Sequence, residues 1–109
     1  MPANLDLIRD AFCQGTYFFR EHCRLKMLEY GLSRGNVETA ICRDAPVIVE
    51  DYPDDPRGAA VLVLGWAAPA WPLHIVVGYG DMPDVAFDAI TVYEPDPRQW
   101  HNNYRVRNA

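Results

Sequence analysis

Two short runs at opposite ends of the chain hold the residue types that do chemistry. The first is His22-Cys23-Arg24-Leu25-Lys26-Met27, continuing into Tyr30-Gly31-Leu32-Ser33. The second is Thr91-Val92-Tyr93-Glu94-Pro95-Asp96-Pro97, followed by Trp100. In a helix, successive residues rotate by roughly 100°, so His22, Lys26 and Glu29 share one narrow stripe. Cys23, Met27 and Tyr30 flank it on one side, Leu25 and Leu28 on the other. A polar ridge between apolar flanks suits the edge of a cleft, where a histidine can move protons near neutral pH. The same spacing also describes a solvated ridge tied by contacts three and four residues apart.

Tyr93 stands at the end of a β-rich run, where its hydroxyl can project from the sheet end. It can equally pack as a strand aromatic, sharing a face with Phe87, Ala89 and Thr91. Trp100 either anchors the terminal segment or stacks on a base. His74 alternates with apolar neighbours and reads as a sheet histidine with satisfied hydrogen bonds. No metal site is expected, because Cys13, Cys42, His74 and His101 show no recurrent ligand spacing. No glycine-rich phosphate loop follows a strand and no Gly-x-Ser-x-Gly turn is present, so no nucleotide cofactor or serine nucleophile is expected.

The elements that must position these groups change character near Asp44. Asn4 is placed to cap a first helix with Leu5, Ile8 and Phe12 on one stripe, ending near Gly15. Thr16 to Phe19 reads as a short edge strand, and Arg20 to Tyr30 as a helix stopped by Gly31. Ser33 can cap a further helix carrying Val37, Ala40 and Ile41. Its capping box looks incomplete, since Asn36 stands where Glu or Gln would reach back. Then Pro46 to Tyr52, Ala59 to Trp66, Trp71 to Tyr79 and Val85 to Tyr93 read as four strands. The separators are turn-rich: residues 53–58, Ala68-Pro69 and Gly80-Asp81-Met82-Pro83. Short connections favour an antiparallel meander. Pro97 is expected to open a last helical turn through Trp100, with a polar, weakly constrained tail beyond Tyr104. The fold class is α+β: N-terminal helices packed on one face of a four- to five-stranded antiparallel sheet.

Composition fits one domain of 109 residues, half of them apolar. Residues 1–15 form a helical extension, 16–100 the core and 101–109 a polar tail. Three cysteines, none in a C-x-x-C spacing, argue against a disulfide framework and for a reduced chain. Asp6, Arg9 and Asp10 interrupt the first apolar stretch, and no apolar run is long enough for a membrane span. A soluble cytoplasmic protein is expected. The net charge of −5 is uneven. Residues 1–43 carry six Lys/Arg against five Asp/Glu, residues 44–96 carry Arg57 against ten acids, and the tail adds three arginines and no acid. A nucleic-acid surface would have to draw on the two basic ends.

The two runs together resemble a bacterial family, domain of unknown function 4258, marked by a His-x3-Arg-Met helix and a closing T-V-Y-x-P strand. His22, Met27, Gly31, Leu32, Thr91, Tyr93, Pro95 and Trp100 match its pattern. Lys26 stands where Arg is usual, keeping charge without the planar fork, and Tyr30 replaces a second usual Arg. The resemblance implies a branch of the RelE/ParE-type toxin fold, two helices followed by a curved antiparallel sheet. It implies a component of a type II toxin–antitoxin system, partnered by a small antitoxin-like protein, some of which carry zinc fingers. The implied activity is metal-independent RNA cleavage, with or without a ribosome. That needs a base near the 2′-hydroxyl, a cation on the scissile phosphate and an acid for the leaving oxygen. His22 would be base or acid, Lys26 the cation and Tyr93 the second proton donor. Arg24, Arg98 and Trp100 would bind substrate, with Arg105 and Arg107 along the RNA backbone. Two alternatives remain: a non-catalytic binding module that kept the toxin fold, and a small-molecule enzyme.

Overall fold

The computed structural model describes residues 2–43, 45–80 and 86–108. Helix α1 (Leu5–Gln14) starts where the Asn4 side chain accepts from the Leu7 N–H at 3.2 Å, and stops at a left-handed Gly15. It buries Ile8 and Phe12, and the Phe12 ring stacks on Tyr17 with centroids 3.9 Å apart. Strand β1 (Tyr17–Phe19) leads directly into α2 (Glu21–Tyr30), which ends at a left-handed Gly31. Helix α3 (Arg34–Cys42) opens with a complete capping box. Ser33 Oγ accepts from the Asn36 N–H at 3.1 Å, and Asn36 Oδ1 accepts from the Ser33 N–H at 2.8 Å. The shorter Asn side chain does reach back, which corrects the expectation of an open box.

Strands β2 (Val47–Tyr52), β3 (Ala60–Ala68), β4 (Trp71–Gly78) and β5 (Phe87–Tyr93) form the expected antiparallel meander. Residues 81–83 of the expected β4–β5 turn, and Val85, lie outside the described residues. The sheet is mixed rather than wholly antiparallel, because β1 pairs with β5 in parallel and the order is β1-β5-β4-β3-β2. Tight turns impose antiparallel pairing only on strands adjacent in sequence. Two helices and three strands separate β1 from β5, so no turn dictates its direction. The Arg20 N–H extends the pairing by donating to the Ala89 carbonyl at 3.0 Å, and there the chain turns into α2.

Alternation along the strands sends two rows of side chains to opposite faces. Val61, Val63, Leu73, Ile75, Val77, Ala89 and Val92 form one core with Ile8, Phe12, Val37, Ala40 and Ile41. Helix α3 lies on β3 and β4, α2 on β5, and α1 on α3. Gly65 sets how close α3 can come, because a β-carbon there would fall on the Ala40 carbonyl and 3.0 Å from the Ala40 methyl.

The other face is covered in part by the chain's end. The expected turn from Pro97 to Trp100 is present, with the Trp100 N–H donating to the Asp96 carbonyl at 3.2 Å, but the expected loose tail is instead a small hairpin of β6 (Trp100–His101) and β7 (Val106–Arg107). Asn102 and Asn103 both take positive φ, as a tight hairpin turn requires. A second correction concerns the cysteines. Cys13 and Cys42 are bridged, with Cα atoms 5.4 Å apart, tying α1 to α3 across 29 residues. Closing a loop of that length removes unfolded-state entropy equivalent to roughly 3–4 kcal/mol. Residue spacing carries no information about this pairing, which only the packing of α1 on α3 creates. Cys23 is free and buried, and burial pushes its thiol up to about 11. Among the described residues no helix is long and apolar enough to cross a membrane.

Gly65→Ala tests the helix–sheet packing. The added methyl meets backbone that cannot rotate away, so the variant should be less stable by about 1–3 kcal/mol in denaturant unfolding. Unchanged stability would mean that α3 does not approach β3 this closely.

Candidate functional site

Register fixes which residues share the face opposite the helices. Leu62 pairs with Val76 and Val76 with Thr91; in the next row Leu64 pairs with His74 and His74 with Tyr93. At one end of this face lies an open groove of about 1030 Å³, floored by Ala60, Val76, Gly78 and Thr91. Phe18, Arg20 and His22 line it from the β1 edge, and Tyr52, Asp55 and Arg57 from the β2 edge and the turn beyond. Phe18 is 67 % exposed, a large aromatic left in water on a groove wall.

Charge in the groove is balanced locally. Arg20 pairs with Asp88, whose carboxylate lies over Gly78 in the space a side chain there would take. Arg57 pairs with Asp55 at 3.1 Å and holds that carboxyl below its ordinary range through hydrogen bonds. His22 is exposed in the first turn of α2. The groove therefore offers one imidazole, two guanidinium groups, two carboxylates and three aromatic rings, those of Phe18, Tyr52 and Tyr79, on a largely apolar floor.

The remaining candidates from the sequence fall elsewhere. Lys26 pairs with Glu29 at 3.1 Å, the tied ridge that their spacing allowed, and neither it nor Tyr93 lines the groove. Arg24 is exposed on α2. Arg98 pairs with Asp96 at 3.0 Å in the turn after β5. Trp100 is only 4 % exposed; its ring meets the His74 ring at 4.4 Å and lies beneath the Arg107 guanidinium at 4.6 Å. No face of the indole is open to a base, so Trp100 anchors the hairpin.

Tyr93 and Trp100 do converge, but on His74 rather than His22. His74 is fully buried. Its Nε2 lies 2.8 Å from the Tyr104 carbonyl, which only accepts, so Nε2 carries the proton. Nδ1 is then the acceptor for the Tyr93 hydroxyl at 3.1 Å. Burial lowers the His74 pKa and pushes Tyr93 up to about 12. Beside them, Arg107 bridges to Glu50 at 2.9 Å, and the Tyr52 hydroxyl donates to the same carboxylate. Arg20, Asp88 and Arg57 do not stand out in the sequence by motif or spacing. Asp88 carries a signal all the same: a lone carboxylate between Phe87 and Ala89 marks the strand's polar side.

Among the described residues no group of three His, Cys, Asp or Glu is placed to hold a metal. The groove chemistry is that of paired charges, one imidazole and aromatic surface.

Burial of His74 has a pH signature. Unfolded, the ring titrates near 6.5, and folded it titrates lower. Between those values the unfolded chain binds a proton that the folded chain refuses, so stability is full above 6.5 and falls as the solution is acidified. His74→Gln keeps a donor and cannot titrate, so its melting temperature should drop less between pH 8 and pH 5. Equal drops would place the pH dependence elsewhere.

Comparison with known families gives one match. The family described as "Domain of unknown function (DUF4258)" matches residues 19–94. That span runs from the last residue of β1 to just beyond β5, leaving out α1 and the terminal hairpin. No curated protein and no solved structure matches the chain. Matched over well more than half its length, through all of the first run and the Thr91–Glu94 part of the second, the chain belongs to the DUF4258 family.

Proposed function

We propose that this protein is the toxin-like component of a type II toxin–antitoxin system, binding single-stranded RNA in the open-face groove and cleaving it without a metal. The observation that carries the reading is the company His22 keeps. It opens on a groove that also presents Arg20, Arg57 and the exposed Phe18 ring. His22 moves the proton at the 2′-hydroxyl or the leaving oxygen. Arg20 or Arg57, rather than Lys26, meets the scissile phosphate, and Phe18 offers a stacking platform. Each arginine must exchange its aspartate for phosphate. Exposed ion pairs contribute only about 0–1 kcal/mol, so the exchange is cheap.

The order of elements, helices followed by an antiparallel meander, agrees with a RelE/ParE-type fold. A small antitoxin-like protein is the partner this reading requires. It places the protein in the cytoplasm, where the Cys13–Cys42 bridge has to withstand the thiol pool. A second reading, a non-catalytic binding module, is favoured by the groove's apolar floor and its already neutralised charges. In that case the occupant is a partner segment.

RNA cleavage by purified protein, with and without ribosomes, separates the two. His22→Ala should cut about 10²–10⁴-fold more slowly at a nearly unchanged melting temperature, because the ring is exposed. Lys26→Ala, off the groove, should cut nearly as wild type. Intact RNA under both conditions would remove the enzyme and leave the binding module.

A further inference from the structure

The groove ends where the C-terminal hairpin begins, yet the surface beneath is continuous. Val76 and Thr91 in the groove floor are followed, two residues on and on the same face, by His74 and Tyr93. These two form a hydrogen-bonded pair of proton-moving groups at 3.1 Å, His74 fully buried and Tyr93 partly so, in a row that otherwise continues with Leu64. A histidine and a tyrosine are costly choices for a site that only needs filling. Glu50 and Tyr52 border the same patch, and Tyr52 also lines the groove.

What lies over His74 is a separate element, anchored by the buried Trp100. The hairpin makes its own two-stranded sheet, through Trp100↔Arg107 and His101↔Val106, and shares no ladder with the main one. Its ties to the face are few: the Tyr104 carbonyl on His74 Nε2, the Arg107–Glu50 pair, Tyr104 against the Trp66 ring, and Trp100 against His74. Tyr104 follows Asn102 and Asn103 in the left-handed region, at φ 70. Asparagine tolerates that conformation and tyrosine does not. The bond to His74 comes from the carbonyl of this residue. The family match ends at residue 94 and leaves the hairpin outside while containing everything it covers.

We propose that the hairpin of residues 100–107 is a displaceable strap that closes the far end of the groove, and that lifting it joins the masked His74–Tyr93 pair to the groove. Arg107 is the latch: its guanidinium edge holds Glu50 on the sheet, while its face lies over Trp100 within the same hairpin. The strap makes the open face two-state: a short groove when closed, a longer one with a second acid–base pair when open. This holds whatever the groove binds.

The test uses the full chain and no ligand. Diethyl pyrocarbonate modification of each histidine is followed by mass spectrometry, alongside amide hydrogen exchange of β3 and β4. In wild type, exposed His22 should react readily and His74 slowly. Arg107→Ala removes the one ion pair between strap and sheet, and should raise the His74 rate roughly two- to fivefold. The His22 rate and β4 amide protection should stay as in wild type. Glu50→Gln, which removes the same ion pair from the sheet side, should give a comparable rise. No rise in either variant would overturn the proposal. So would a rise that merely tracks β4 amide exchange, because His74 would then be reached only by unfolding.

Discussion

Three helices lie on one face of the five-stranded sheet, and side-chain alternation along β3 and β4 sends every second residue to the face they do not cover. On the helix side the constraint is resolved by close packing, with α3 against Gly65 and one continuous apolar core. On the far side the cover is a two-stranded hairpin. This terminal hairpin meets His74, Glu50 and Trp66, and the remainder stays open as the groove. The candidate site is thus the uncovered part of a sheet too large for its helices.

That division explains why the candidate residues separate as they do. His22 sits at the start of α2, beside the point where Arg20 joins β5, so it overlooks the groove. Lys26, one turn later, stays with Glu29 on the helix surface. Tyr93 faces the same side of the sheet as the groove but one row beyond it, beneath the hairpin, where His74 is its partner. Proximity in a helical stripe and identity in a closing strand do not translate into one cleft, because sheet register lies between them.

Much of the architecture is legible in the residues. Asn4, Gly15, Gly31 and Ser33 mark helix ends through local hydrogen bonds and backbone preferences, and the change of period after Asp44 marks the meander. The illegible parts are the long-range ones. The direction of β1 depends on a partner seventy residues away in sequence (Tyr17 against Phe87). The Cys13–Cys42 bridge depends on how two helices meet. The hairpin has strands of two residues, too short for any periodicity, and its one local signal is the Asn102-Asn103 turn. Of the site, His22 is readable by residue type; Arg20, Asp88 and Arg57 assemble only once the sheet is built.

The central claim is that the face away from the helices is the functional one. It is tested most directly by titrating the isotope-labelled protein with a single-stranded oligoribonucleotide and mapping amide shift changes by NMR. The account predicts changes concentrated at Phe18, Arg20, His22, Arg57 and Thr91, with the outer surfaces of α1 and α3 unaffected. Changes confined to the helices, or none at saturating RNA, would contradict it.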